Sequence, residues 1–199
     1  MIYRNDDVCK GFDERRYSIV RGLFESFGLK EHYSVIPFGE NVYTPDAHLL
    51  SKQELIDITG GGTVKDDEMA DKFIRESIER GHEITLHGWT HVLITQYTKE
   101  EQFKNIKKAR DFLESEYGVK IKYFVPPFNS YDDNTLSVCS ELGLQILGRN
   151  KSQLEWLVID NNEIMDEHCW YHAWRFFEGQ LTPNKLKLWL QARNNQSKH

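Results

Sequence analysis

Strand-type and helix-type periodicities alternate along the chain, and that alternation predicts an α/β fold with a mostly parallel sheet and helices outside it. Two further observations narrow the architecture. About seven strand candidates are present, and the 199 residues fall short of the roughly 250 that a full eight-stranded barrel takes. The expected form is a shortened or distorted (β/α)7 barrel, with residues 1–199 as one domain.

The elements follow in order. A short strand, Met1 to Arg4, leads into Asn5-Asp6-Asp7, which reads as turn and cap chemistry. Tyr17, Val20, Leu23, Phe24 and Phe27 keep helical spacing up to Gly28, and Tyr33 to Phe38 reads as the second strand. The stretch from Gly39 to Lys65 carries Pro45 and Gly60-Gly61-Gly62 but no Gly-Lys-Ser/Thr ending, so a mobile loop or lid is expected rather than a phosphate loop. Asp66-Asp67-Glu68 suits a helix start, and Met69, Phe73, Ile74 and Ile78 carry that helix to Gly81. Glu83 to His87 is the third strand.

Thr98 and Glu101 stand at capping-box spacing before a helix through Phe103, Ile106, Ala109, Phe112 and Leu113 to Gly118. Ile121 to Val125 is a strand closed by Pro126-Pro127, and a helix through Leu136, Val138, Cys139 and Leu142 precedes the strand Leu144 to Leu147. Trp156 to Ile159 and Cys169 to Trp174 are further strand candidates. An amphipathic helix from Pro183 to about Leu190 ends the pattern.

Composition excludes several classes. Hydrophobic residues make up 39% and charged residues 28%, which suits one globular core. No window approaches the roughly 18 apolar residues of a membrane-spanning helix. Lysine and arginine number 25 against 31 acids, a net charge of -6, which argues against a nucleic-acid surface. Cys9, Cys139 and Cys169 are odd in number and form no CxxC, so neither a disulfide scaffold nor a cysteine zinc site is expected. Met1-Ile2-Tyr3 runs directly into charged residues without an export-signal pattern, and the expected address is the cytoplasm.

Chemistry in such folds belongs at the C-terminal ends of strands, and four groups of polar residues fall there. Asp6-Asp7 is an adjacent acidic pair that needs a shared cation or proton. His87-Gly88-Trp89-Thr90-His91 would hold its histidines about 13 Å apart if extended, but one helical turn brings i and i+4 within about 6 Å, close enough to share an ion. Gly88 eases that change of direction. The segment lacks the glutamate of a zincin. A carboxylate from Asp6 or Asp7 would complete an Asp-His-His set with open positions, the arrangement of catalytic metals. In Phe124-Val125-Pro126-Pro127-Phe128-Asn129 both prolines lack an N–H, so the Phe128 amide is the first free donor and is suited to an oxyanion. In His168-Cys169-Trp170-Tyr171-His172-Ala173-Trp174, strand alternation sets His168, Trp170, His172 and Trp174 on one face.

Taken together and in this order, these pieces resemble the NodB-homology polysaccharide deacetylases, carbohydrate esterase family 4. The resemblance implies Asp6 as general base and Asp7, His87 and His91 as ligands of one divalent metal, zinc foremost, with cobalt, nickel, manganese or iron compatible. The family's Arg-x-Pro-Tyr corresponds to Val125-Pro126-Pro127-Phe128, which assigns oxyanion donation to the Phe128 amide and leaves the base-orienting arginine replaced by Val125. Arg4, Arg149 and Arg175 are the candidates to replace it. Leu-x-His corresponds to Trp170-Tyr171-His172, with His172 as general acid and Trp170 lining the acetyl pocket; Pro127, Asn129 and Tyr131 complete the expected substrate-binding set. The Asp-x-x-Asp-Trp motif survives only through Glu155-Trp156, and Asp160 is an alternative partner for His172.

The function implied is metal-dependent removal of an N-acyl, foremost N-acetyl, group from an amino sugar in a glycan or a nucleotide- or lipid-linked precursor. A related amidase or deformylase, and a non-catalytic glycan- or metal-binding domain, are the alternatives. An iron oxygenase would use a similar triad, but on a double-sheet barrel rather than alternating strands and helices.

Overall fold

The computed structural model describes residues 2–40, 50–58, 60–148, 168–173, 177 and 182–196. In chain order the elements are β1 (Ile2–Lys10), α1 (Glu14–Ser26), β2 (Glu31–Glu40), α2 (Lys52–Ile58), α3 (Glu68–Glu79), β3 (Glu83–Leu86), α4 (Lys99–Tyr117), β4 (Tyr123–Phe124), α5 (Asp133–Glu141), β5 (Gln145–Ile146), β6 (His168–Tyr171) and α6 (Pro183–Gln196). The described strands form one sheet in the order β5-β4-β3-β2-β1-β6, and every neighbouring pair is parallel. The expected α/β fold with a parallel sheet is therefore observed. The Trp156–Ile159 strand candidate lies outside the described residues.

Local chemistry sets the element ends. The Asp13 side chain accepts from Arg16 N–H at the start of α1, and Asp67 accepts from Met69 and Ala70 N–H at the start of α3. Thr98 and Glu101 form the expected capping box of α4, which stops at Gly118 in the left-handed region (φ 65°). Apolar residues of the sheet and helices, among them Phe24, Tyr33, Phe73, Leu86, Ile106 and Phe124, share one buried core.

Three sequence-based boundaries change. Asn5-Asp6-Asp7 is not a turn after a four-residue strand but the middle of the nine-residue β1. Flanking residues Val8 and Cys9 are buried and apolar, which extends the strand past its polar centre. The Gly39–Lys65 segment, expected as a mobile loop, contains α2 and is tied to the sheet by Gly39 N–H to Gly62 O (2.9 Å) and a Phe38–Thr63 bridge. Residues 41–49 lie outside the described ones. The final helix runs to Gln196, past the expected Leu190.

On the helix-facing side of the sheet, a fully buried Glu31 carboxylate joins three strands. It accepts from Asn5 Nδ2–H (3.1 Å), Tyr33 O–H (2.6 Å) and Tyr171 O–H (2.5 Å). Burial drives this carboxyl up to about 7 despite those donors. An unfolded chain ionises the same group near its usual 4.5, so the folded state binds more protons between those values and loses stability as pH rises through them. Glu31→Gln removes that titration. Urea melts of the variant between about pH 5 and 7 are expected to show a flatter stability profile than wild type, and an unchanged profile would contradict the burial argument.

Candidate metal centre

Strict alternation along a strand would send adjacent side chains to opposite faces. β1 avoids this at Asp7, which has φ 71°, where its pairing with β2 shifts register between Asn5 and Val8. The irregularity re-aims Asp7, and both carboxylates are buried at one site. Aspartate tolerates the left-handed region better than most residues, so its identity suits its backbone as well as its chemistry.

His87 and His91 follow β3. The segment between them does not form the helical turn expected from their spacing; it bends at Gly88 (φ 79°), and the two rings end 5.1 Å apart. A Cβ on Gly88 would stand 2.9 Å from the Thr90 carbonyl oxygen and 3.4 Å from Pro127 Cγ, so the bend requires glycine twice over.

Asp7, His87 and His91 each offer a ligand atom, all within 4.8 Å of one another. The His87 ring is oriented by Nδ1–H donation to the Val125 carbonyl (2.8 Å), which leaves a lone pair on Nε2. That lone pair faces Asp7 Oδ1 at 3.3 Å, and His91 Nε2 faces the same oxygen at 3.6 Å. Asp7 Oδ1 is buried and has no hydrogen-bond donor among the described residues. Electron pairs gathered around a buried oxygen are what a divalent cation stabilises, so these residues fit the metal expected from the sequence.

Charge around the site is balanced by neighbours. Burial pushes Asp7 up, but His172, His87 and His91 outweigh it and hold the carboxyl well below its usual range. Burial pushes His91 down to about 4, which keeps its imidazole neutral and available as a ligand near neutral pH. For Asp6 burial again opposes ionisation, and Arg4 followed by His87 and His172 lowers its carboxyl below the usual value.

Arg4, among the three candidate arginines, stands against the base. Its Nε and Nη2 reach Asp6 Oδ2 at 3.1 and 2.7 Å, and the residue is fully buried. Ser34 O–H donates to the other oxygen, Oδ1, at 2.6 Å. The same guanidinium donates to the Leu147 carbonyl and to Asn129 Oδ1 (3.2 Å), so it also holds the turn that follows β4. Arg149 and Arg175 lie outside the described residues. The spacing i to i+2 along a strand was the available signal, since it puts Arg4 and Asp6 on one face.

In that turn Asn129 and Ser130 N–H return to the Pro126 and Pro127 carbonyls (3.0 and 3.1 Å). Phe128 (φ 56°) and Asn129 (φ 51°) are both left-handed, and the Phe128 ring lies 4.4 Å from that of His91. Tyr131, expected at the substrate, is 37% exposed, and its ring occupies the space over Gly148, where a Cβ would come within 2.6 Å of Cε1. Asn129, expected to bind substrate, accepts from Arg4 through Oδ1. Pro127 is buried beside Gly88.

His172 follows β6 and its Nε2 stands 3.0 Å from Asp7 Oδ2. Trp170 lies on β6 paired with Arg4, while its side chain falls outside the described residues, as do Glu155, Trp156, Asp160 and Trp174. The structure thus brings together Asp6, Asp7, His87, His91, His172 and the Phe128 turn at one end of the sheet. Arg4 and Ser34 complete the surroundings of the base.

The fold is a parallel α/β sheet with a His-His-Asp cluster at one end, and comparison with known proteins specifies the family. The polysaccharide deacetylase family profile matches residues 42–147, more than half of the chain, and the chain belongs to that family. Chitin deacetylase 1 of Saccharomyces cerevisiae is 26% identical over 90 residues, covering 45% of this chain and 30% of that protein. The chain thus spans under a third of the length of the curated relatives it matches. Among solved structures, a D285S mutant of the peptidoglycan deacetylase PdaC from Bacillus subtilis superposes with a TM-score of 0.64 at 12% identity, covering 98% of this chain and 83% of that one. A family 4 acetyl xylan esterase from Clostridium thermocellum in complex with a cobalt ion gives 0.63 at 15% identity, covering 99% and 83%. These likenesses bear on the fold. Among the described residues no helix is long and apolar enough to cross a membrane.

Gly88 links backbone to ligand geometry in a way calorimetry reads. Gly88→Ala is expected to weaken zinc binding by about tenfold or more, the scale seen when supports of metal ligands are disturbed. Wild-type affinity in that variant would show that the His87–His91 approach does not depend on the bend.

Proposed function

We propose that the protein is a zinc-dependent hydrolase that removes the N-acetyl group from an amino sugar of a glycan. One observation carries the proposal: a buried carboxylate oriented by Arg4 and Ser34 sits beside a second carboxylate gathered with two imidazole ligands. A base next to a cation site is the equipment of hydrolysis. The likeness to a chitin deacetylase supports an N-acetylated glycan as the substrate class.

Asp7, His87 and His91 would hold the ion, which when bound supplies Lewis acidity and lowers the pKa of a water toward about 7. Asp6 accepts the proton of the attacking water. Ser34 and Arg4 each occupy one of its oxygens, so the carboxylate keeps a fixed orientation and retains a lone pair for that proton. The attacking oxygen forms a bond to the acetyl carbon, and the Phe128 amide donates to the resulting oxyanion. His172 then protonates the nitrogen as the C–N bond breaks, giving acetate and a free amine.

In this scheme Arg4 supplies from β1 what the family's motif supplies from the position occupied here by Val125. Acetate release is to be measured on chitin oligosaccharides and on a nucleotide-linked N-acetylated sugar, which separates polymer from precursor. Asp6→Asn is expected to keep zinc and lose about 10²- to 10⁴-fold in rate. Arg4→Met is expected to lose activity as well, and Arg4→Met/Val125→Arg to regain part of it. A zinc-loaded wild type that releases no acetate from either substrate, or an Asp6→Asn protein of wild-type rate, overturns the reading.

A further inference from the structure

His172 directly follows the short strand β6. β6 has four residues, pairs only with β1 among the described strands, and ends at Tyr171, one residue before the imidazole. Strand ends with one-sided pairing open readily. Both neighbours of His172 are nevertheless fastened, and the fastenings converge on one group.

Tyr171 O–H donates to Glu31 Oε1 (2.5 Å), and Ala173 N–H donates to Asn5 Oδ1 (3.0 Å). Asn5 Nδ2–H in turn donates to the same Glu31 Oε1 at 3.1 Å, while Tyr33 O–H takes Oε2 at 2.6 Å. Glu31, Asn5, Tyr33 and Ala173 are fully buried, and the Tyr171 ring stacks on Phe24 at 5.4 Å between centroids. Asn5 alternates with Arg4 and Asp6 along β1, so this network occupies the opposite side of the sheet from the base. The Glu31 carboxyl is the common acceptor on which three buried donors converge.

We propose that Glu31 is a positioning residue for His172, whose carboxylate, through Tyr171 and Asn5, fixes where the imidazole stands against Asp7. The inference rests on the reading of His172 as the acid that protonates the leaving amine. Without the acceptor, the hydrogen bonds from Tyr171 O–H and Asn5 Nδ2–H to Glu31 are lost, and of the three strands Glu31 joins, β6 is the one with a single partner among the described strands. That element carries His172.

Two phenylalanine substitutions separate positioning from general stability. Tyr171→Phe keeps the ring on Phe24 and removes only the hydroxyl that ties β6 to Glu31. Tyr33→Phe removes the donor to the other carboxylate oxygen, which belongs to β2. The readouts are kcat and KM for acetate release, zinc stoichiometry, melting temperature and hydrogen exchange of the Ala173 amide. Tyr171→Phe is expected to lower kcat by about ten- to a hundredfold with KM and zinc content unchanged, as for a misplaced catalytic group. Its Ala173 amide is expected to exchange about tenfold faster than wild type. Tyr33→Phe should lose comparable melting temperature, yet keep kcat within about twofold and retain Ala173 protection. Glu31→Gln, which preserves an acceptor oxygen, should resemble wild type at Ala173, and Glu31→Leu should not. Equal effects of the two tyrosine variants, or unchanged Ala173 exchange in Tyr171→Phe and Glu31→Leu, overturns the proposal. Absence of acetate release from wild type would remove the deacetylase reading, and the exchange data would still decide whether Glu31 holds the His172 segment.

Discussion

Two adjacent carboxylates, Asp6 and Asp7, are buried within one strand, and much of the surrounding structure is what such burial demands. An uncompensated buried ion costs several kcal/mol, and two like charges side by side add repulsion. Each is met separately. Asp6 has the Arg4 guanidinium and the Ser34 hydroxyl, and Asp7 is ringed by three imidazoles, with its Oδ1 left for a cation. Those partners come from β1, β2, the segment after β3 and the segment after β6. The parallel order of the sheet, which gathers strand ends at one edge, is therefore the condition for burying the pair at all.

The same constraint reaches the outer layer. At the irregularity in β1 the Asp6 carbonyl accepts from the Tyr17 hydroxyl of α1, which satisfies a buried main-chain group close to the bulge. Arg4 links the base to the turn bearing Phe128, so a shift of that turn would be felt at Asp6. Glu31 ties β1, β2 and β6 together from the opposite side. The site is thus braced from both sides of β1. A left-handed Asp7, Phe128 and Asn129 are conformations that only such bracing maintains, each costing of order 1–3 kcal/mol.

Much of this was legible in sequence, for physical reasons that differ between elements. Helices with caps were read closely, because Asp67, the Thr98–Glu101 pair and Gly118 act on their own neighbours. The residue types of the site were legible because carboxylates and imidazoles at strand ends carry few other uses. Backbone detail was not. Asp6-Asp7 reads as a turn in isolation, and only the pairing of Asn5 and Val8 with β2 on either side carries the strand through it. The bend at Gly88 leaves no room for a side chain beside the Thr90 carbonyl and Pro127, and the Pro127 contact is not local information. The bond from Arg4 to Asn129 joins residues 125 apart in sequence and could not be read locally.

X-ray absorption at the zinc edge of the zinc-loaded wild-type protein tests the central claim most directly, because it counts ligands without relying on turnover. Two imidazoles and one carboxylate oxygen at about 2.0–2.2 Å, completed by solvent, is the expected shell. A third imidazole would place His172 among the ligands and leave the departing amine without its acid. A shell of water oxygens alone would mean that Asp7, His87 and His91 hold no metal, and the hydrolytic mechanism would fall with them.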